Sequence, residues 1–128
     1  MKESVVYYKA FRFAKEIIIL YRNLISLNKE FVLSKQLLRS GTSIGANIVE
    51  ANGGISKSDF SAKMSVAYKE CLESKYWLEL MKETDYIDEN IFNKLFQDAD
   101  EIGKILFKIL KTSGRINIMD NSMMTDNR

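Results

Sequence analysis

From Phe60 to Met81, the residues Phe60, Met64, Ala67, Cys71, Ser74, Leu78 and Met81 follow one another in alternating steps of four and three. That rhythm holds small and apolar side chains on one face of an α-helix, and it is the spacing of helices that pack nearly parallel to their neighbours. A strand would alternate in steps of two, and no segment of this chain does so. Proline is absent from all 128 residues, so nothing interrupts long helices. With 46% hydrophobic residues, a chain of this length supports one domain with a proper core.

Three further helices are expected. The first, from about residue 4 to 27, carries Val6, Ala10, Phe13, Ile17, Tyr21 and Leu24 at helical spacing, with Phe11, Ile18, Ile19, Leu20 and Ile25 off that stripe. A helix apolar on more than one face is expected to be buried on more than one face. The second starts at Ser34 as N-cap and runs to Asn52, where Gly53 and Gly54 are expected to stop it by taking the left-handed conformation. Ser56 or Ser58 opens the third, with Asp59 in its first turn, and Asp85 or Asp88 opens the fourth. The fourth carries two adjacent stripes, one through Ile91, Leu95, Ile102, Leu106 and Ile109, the other through Phe92, Phe96, Ala99, Gly103, Phe107 and Leu110. It is expected to continue to about residue 112, with Gly114 ending it. Residues 115–128 have too little apolar periodicity to pack on their own and are expected to form a disordered tail beyond a 1–114 domain. Short breaks between four helices predict an all-α, up-down-up-down antiparallel four-helix bundle.

The stretch "RSGTSIGANIVEANGG", Arg39 to Gly54, admits a phosphate loop or a packing seam. Gly41 and Gly45 stand one residue too close for a Walker loop, and no lysine follows them. A dinucleotide fingerprint needs a preceding strand. As a helix, the stretch places Leu37, Gly41, Ile44, Ile48 and Ala51 on one face, and Ser40, Gly41, Ser43, Gly45 and Ala46 let a neighbouring backbone approach closely. The seam is the expected reading.

Histidine is absent. That removes Ser-His and Cys-His nucleophilic pairs, imidazole zinc sites and Glu-x-x-His di-iron bundles. The single cysteine, Cys71, has no partner for an internal disulfide and lies on the core row. No secretory pattern opens the chain and the longest apolar run is Ile17 to Tyr21, so a soluble protein of the reducing cytoplasm is expected.

Net charge is +2, unevenly spread. Eight basic residues against three acidic ones fall between Met1 and Arg39, whereas Asp85 to Lys111 holds six acids against four lysines. A basic and an acidic face suit a polyanion partner or subunit docking. Lys9, Arg12, Lys15, Lys29 and Lys35 are the candidate nucleic-acid contacts, because Tyr7, Tyr8 and Phe11 interleave with the first of them and stacking accompanies phosphate contact in such surfaces.

Arg39, Ser43, Asn47 and Glu50 fall near one side of the second helix, and Glu70, Glu73 and Trp77 share a row on the third. Two carboxylates beside a tryptophan suggest a metal or acid-base site only weakly without histidine or a second carboxylate pair. A polar network of Arg39, Asn47, Glu50, Glu70 and Glu73 is the expected reading, in which Arg39 meets one of the glutamates. Its loss would cost about 3 to 5 kcal/mol if the site were buried.

Two of these segments also carry a likeness. "QLLRSGTSIGANIVEA" resembles the Gln-Leu-x-Arg…Ser-Ile-x-x-Asn-Ile-x-Glu signature of the ribosomal RNA intervening-sequence proteins, through Gln36, Leu37, Arg39, Ser43, Ile44, Asn47, Ile48 and Glu50. "AYKECLESKYWLELMKETDYI" resembles a segment of one branch of that family, through Ala67, Glu70, Glu73, Trp77 and Leu78. The likeness covers about Tyr8 to Leu110. It departs at the proline usual after the Phe31 position and at Ala51, where glycine is usual. The resemblance implies a left-handed bundle assembled as a homopentameric ring. Some members of the family lie within ribosomal RNA gene insertions, and a related bundle accompanies retroelement reverse transcriptases, which implies RNA or a nucleic-acid-handling protein as partner. The expected function is therefore a non-enzymatic oligomeric module without cofactor or metal that binds RNA or such a protein through a basic surface. The alternative is a protein-protein adaptor without nucleic-acid affinity.

Overall fold

The computed structural model describes residues 2–113, with side chains from Val5 onward; the expected Gly114 stop and the 115–128 tail lie outside the described residues. Four helices and no strand are found among them: α1 (Lys2–Leu27), α2 (Leu33–Asn52), α3 (Lys57–Glu83) and α4 (Glu89–Thr112). Each helix packs on the next in the chain, and α4 closes back on α1. Contacts run in opposite senses along each pair. Gly41 backs onto Ile17 and Gly45 onto Ala10; Arg39 meets Glu73 while Glu50 meets Lys63; Tyr68 stacks near Phe107 while Lys82 covers Phe92; Lys9 meets Glu101 while Lys94 meets Glu16. Neighbouring helices are therefore antiparallel.

The core follows the sequence rows closely. Val6, Ala10, Phe13, Ile17 and Leu24 of α1 are buried, although Leu20 takes the place expected for Tyr21. From α3, Met64, Ala67, Cys71, Leu78 and Met81 enter, as does Ser74, whose hydroxyl sits 2.9 Å from that of Ser40 across the α2–α3 seam. Phe92, Leu95, Ala99, Ile102, Leu106 and Leu110 complete the core from α4. The second apolar face of α1 departs from expectation. Phe11 and Ile19 are 50% and 56% exposed, so part of that face is covered by nothing within the subunit.

Three helix ends are made differently from the sequence reading. Ser34 is not the N-cap of α2; it lies inside the helix, buried, and its hydroxyl donates to the Glu30 carbonyl at 2.7 Å. The capping oxygens come from the Glu30 carboxylate, which accepts from Leu33 N at 2.8 Å and Ser34 N at 2.9 Å. Burial pushes the Glu30 carboxyl up, but the backbone N–H groups and the Ser34 hydroxyl outweigh it and hold it below its ordinary value. Gly53 sits at φ −92°, and neither it nor Gly54 takes the left-handed conformation; Gly54 is instead a close approach, since a Cβ there would lie 3.1 Å from the Ala51 carbonyl oxygen and 3.3 Å from the Phe60 nitrogen. The left-handed positions are Lys29 and Asp85, at φ 54° and 66°. Asp85 thus ends α3, where Tyr86 N–H reaches the Met81 carbonyl and Asp85 N–H that of Lys82. Asp88 opens α4 by accepting from Ile91 N at 2.8 Å, and Ser56 opens α3 by accepting from Asp59 N.

Candidate functional site

The antiparallel closure of α4 on α1 brings the basic N-terminal helix against the acidic C-terminal one. Lys9 Nζ lies 3.3 Å from Glu101, and Glu16 accepts from Lys94 Nζ at 2.8 Å; Lys94 also reaches Asp98 at 3.3 Å. The hydrogen bond to Glu16 raises the Lys94 ammonium above its ordinary value. These pairs line a charged groove with Arg12, Phe13 and Ile102. Lys9 is therefore partly neutralised by α4 instead of being presented to a partner.

Arg12 and Lys15 stay on the solvent side of α1, as does Arg22, which belongs to the basic N-terminal stretch but to no motif. None of the three makes an ion pair among the described residues. Helical spacing puts Tyr8, Phe11, Lys15, Ile19 and Arg22 on one outward face. Tyr8 is 67% exposed, and Lys15 Nζ stands 5.7 Å from the centre of the Phe11 ring. The ring pairs Tyr7–Tyr8 and Tyr7–Phe11, with centres 5.4 and 5.9 Å apart, hold this aromatic end in order. The one acid of α1 from residue 5 onward, Glu16, is turned to Lys94. Lys29 and Lys35 are exposed but lie apart, Lys29 in the turn after α1 and Lys35 in the first turn of α2. Lys29 follows Lys15 by about 20 Å of helix axis. The five candidate contacts are thus split between the α1 face, the α4 groove and the α1–α2 turn.

The expected polar network also divides. Arg39 contacts Glu70 at 3.4 Å and Glu73 more closely, and Glu73 accepts from Trp77 Nε1 at 2.9 Å. Glu50 pairs with Lys63 at 2.8 Å, and Asn47 donates to the Ser43 carbonyl of its own helix. Neither belongs to the Arg39 cluster. The Arg39 side chain is 50% exposed, so the buried site assumed for a cost of several kcal/mol is not present in the subunit.

Other reactive groups are occupied by packing. Cys71 is buried with Sγ 3.0 Å from the Ala99 carbonyl, and burial pushes its thiol up to about 12, far from the thiolate that nucleophilic chemistry needs. No group of three metal-binding side chains occurs among the described residues. No helix of the described residues is long and apolar enough to cross a membrane.

Comparison with known proteins agrees with the motif likeness. No curated protein matches the chain. A crystal structure of a protein of unknown function from the S23 ribosomal protein family of Bacteroides thetaiotaomicron VPI-5482 is 49% identical, covers 87% of this chain and 99% of its own, and superposes with a TM-score of 0.85. The family model of the 23S rRNA-intervening sequence proteins matches residues 2–108, which takes in all of α2 and α3, the Arg39 cluster and the outward face of α1. The chain belongs to the 23S rRNA-intervening sequence protein family.

Proposed function

We propose that the chain is a non-enzymatic, ring-forming helical module that binds RNA through the outward face of α1. The observation that carries the reading is the composition of that face. Tyr8, Phe11, Lys15 and Arg22 place aromatic rings side by side with cations that make no ion pair among the described residues, and Arg12 stands at the border of this face with the α4 groove, which Glu16, Asp98 and Glu101 also line. Phosphates meet the cations while unpaired bases stack on the rings, the arrangement that single-stranded nucleic acid requires. The family's description, which ties it to an insertion in ribosomal RNA, supports RNA over DNA. The bundle is left-handed and assembles as a homopentamer, so each weak site is repeated around the ring and binding gains by multivalency.

Fluorescence anisotropy with a mixed RNA pool at low and at physiological salt tests the proposal. Binding weakens steeply as salt rises, because phosphate contacts release counterions. Arg12→Glu, Lys15→Glu and Arg22→Glu together abolish binding and leave the oligomer intact. Absence of binding at both salts would overturn the RNA reading. One observation favours the protein-protein adaptor as a second reading: Tyr8, Phe11 and Ile19 also form an exposed apolar strip. If the triple charge reversal dissolves the oligomer, that face is a subunit or partner contact and the adaptor reading replaces RNA binding.

A further inference from the structure

Where α1 and α3 begin and α4 ends, Val5, Phe60, Ile105 and Ile109 wall an apolar groove of about 520 Å³, with Lys57 and Lys108 also lining it. We propose that this groove is the docking site of the chain's own segment 114–120, "GRINIMD", which makes the end of the bundle self-covering.

Continuity is the first argument. Thr112 and Ser113 themselves line the groove, so the chain leaves α4 from inside it. Length is the second, because seven extended residues reach about 23 Å, enough to cross a groove bounded by three helices that are each about 10 Å wide. The segment also has the chemistry the groove offers. Ile116 and Ile118 are two residues apart and point to one side of an extended chain, and Met119 supplies a flexible filler. Asp120 is the first carboxylate after the helix, and Lys57 and Lys108 are the cations that would receive it. Lys57 is also the first residue of α3, at the positive end of the helix dipole, which favours a carboxylate there.

Solution NMR on the full chain tests this. Docking slows amide exchange of residues 116–119 by at least about tenfold relative to an unstructured peptide of the same sequence. Ile116→Asp with Ile118→Asp restores the peptide rate and shifts the methyl resonances of Val5, far away in sequence, together with those of Ile105 and Ile109. Lys57→Glu with Lys108→Glu weakens the protection while leaving the helical spectrum unchanged. Exchange of 116–119 at the peptide rate in the native chain would overturn the proposal, as would groove methyl resonances that ignore the isoleucine substitutions. Contacts seen only between differently labelled chains would place a second copy's segment in the groove and overturn docking within one chain.

Discussion

At the scale of single residues, Glu30 shows what a sequence hides. Serine before a run of helix formers reads as an N-cap, yet the buried carboxylate four residues upstream of Ser34 takes the Leu33 and Ser34 N–H groups and leaves the hydroxyl to bond backward. Only the loop's conformation, with Lys29 left-handed, turns Glu30 inward, and a tertiary turn of that kind has no local signature. Glu30→Gln is expected to cost about 1 kcal/mol at neutral pH, the usual worth of a cap. Because the native carboxyl is held below its ordinary 4.5, its contribution is complete above that value and is lost as pH falls through the native one. Denaturant melts of both proteins between neutral and acid pH should converge at the acid end; a gap that stays constant would mean that the carboxylate's charge contributes nothing. The Arg39 pairing was legible, since helical rows put the arginine and two glutamates on facing helices, but its exposure was not, because periodicity gives a face and not the solvent above it. Half-exposed ion pairs contribute little, so Arg39→Ala is expected to lower stability by at most about 1 kcal/mol. A loss near 3 kcal/mol in the native protein would show that another subunit buries the cluster.

At the scale of helices, the rows that repeat by three and four were legible almost residue for residue, because burial on one face leaves a mark at every turn. The small-residue stretch of α2 was legible for the same reason, and the structure ranks its two interior glycines. A Cβ on Gly41 would lie 3.0 Å from Ile17 Cγ1, whereas one on Gly45 would lie 3.7 Å from the Ala10 Cβ, an ordinary contact. Replacing glycine by alanine inside a helix gains about 1 kcal/mol where space allows. Gly45→Ala is accordingly expected to raise the melting temperature, and Gly41→Ala to leave it unchanged or lower it by crowding Ile17. Equal gains at both positions would mean that α1 retreats freely from α2. The ends of the helices were less legible: the sequence marks Gly53 and Gly54 for a left-handed turn after α2 that they do not make, and gives no such mark to Asp85, which makes one after α3. Asp85→Gly removes that strain and is expected to stabilise by up to about 1 kcal/mol in thermal melts, less whatever flexibility glycine adds to the unfolded chain.

At the scale of the whole molecule, charge and apolar surface had been spread along the chain, and only the closure of α4 on α1 decides which of them meet. Lys9 and Glu16 are drawn into cross-helix pairs and Arg12 borders the same groove, so the basic excess of the N-terminal stretch is thinned to Lys15 and Arg22 on the outward α1 face. No count of charges foretells this, since it depends on rotation about the helix axis. Apolar surface is redistributed in the same way, leaving Leu72 and Tyr76, one turn apart on α3, at 46% and 58% exposure, as Tyr8, Phe11 and Ile19 are left exposed on α1. A surface row of this kind is not matched by its own copy in a closed ring, because head-to-tail contact joins two different patches of each subunit. In the proposed ring the Leu72–Tyr76 pair of α3 is expected to be buried once at each joint. Leu72→Glu with Tyr76→Glu places two carboxylates in each joint at little cost to the isolated bundle, since both side chains already face solvent. Light scattering is expected to give about five times 14.8 kDa for the native chain and the mass of a single chain for the double variant, with the helical signal of both alike. A native chain that scatters as a monomer at micromolar concentration would remove the ring, and a double variant that keeps the native mass would move the joint away from α3.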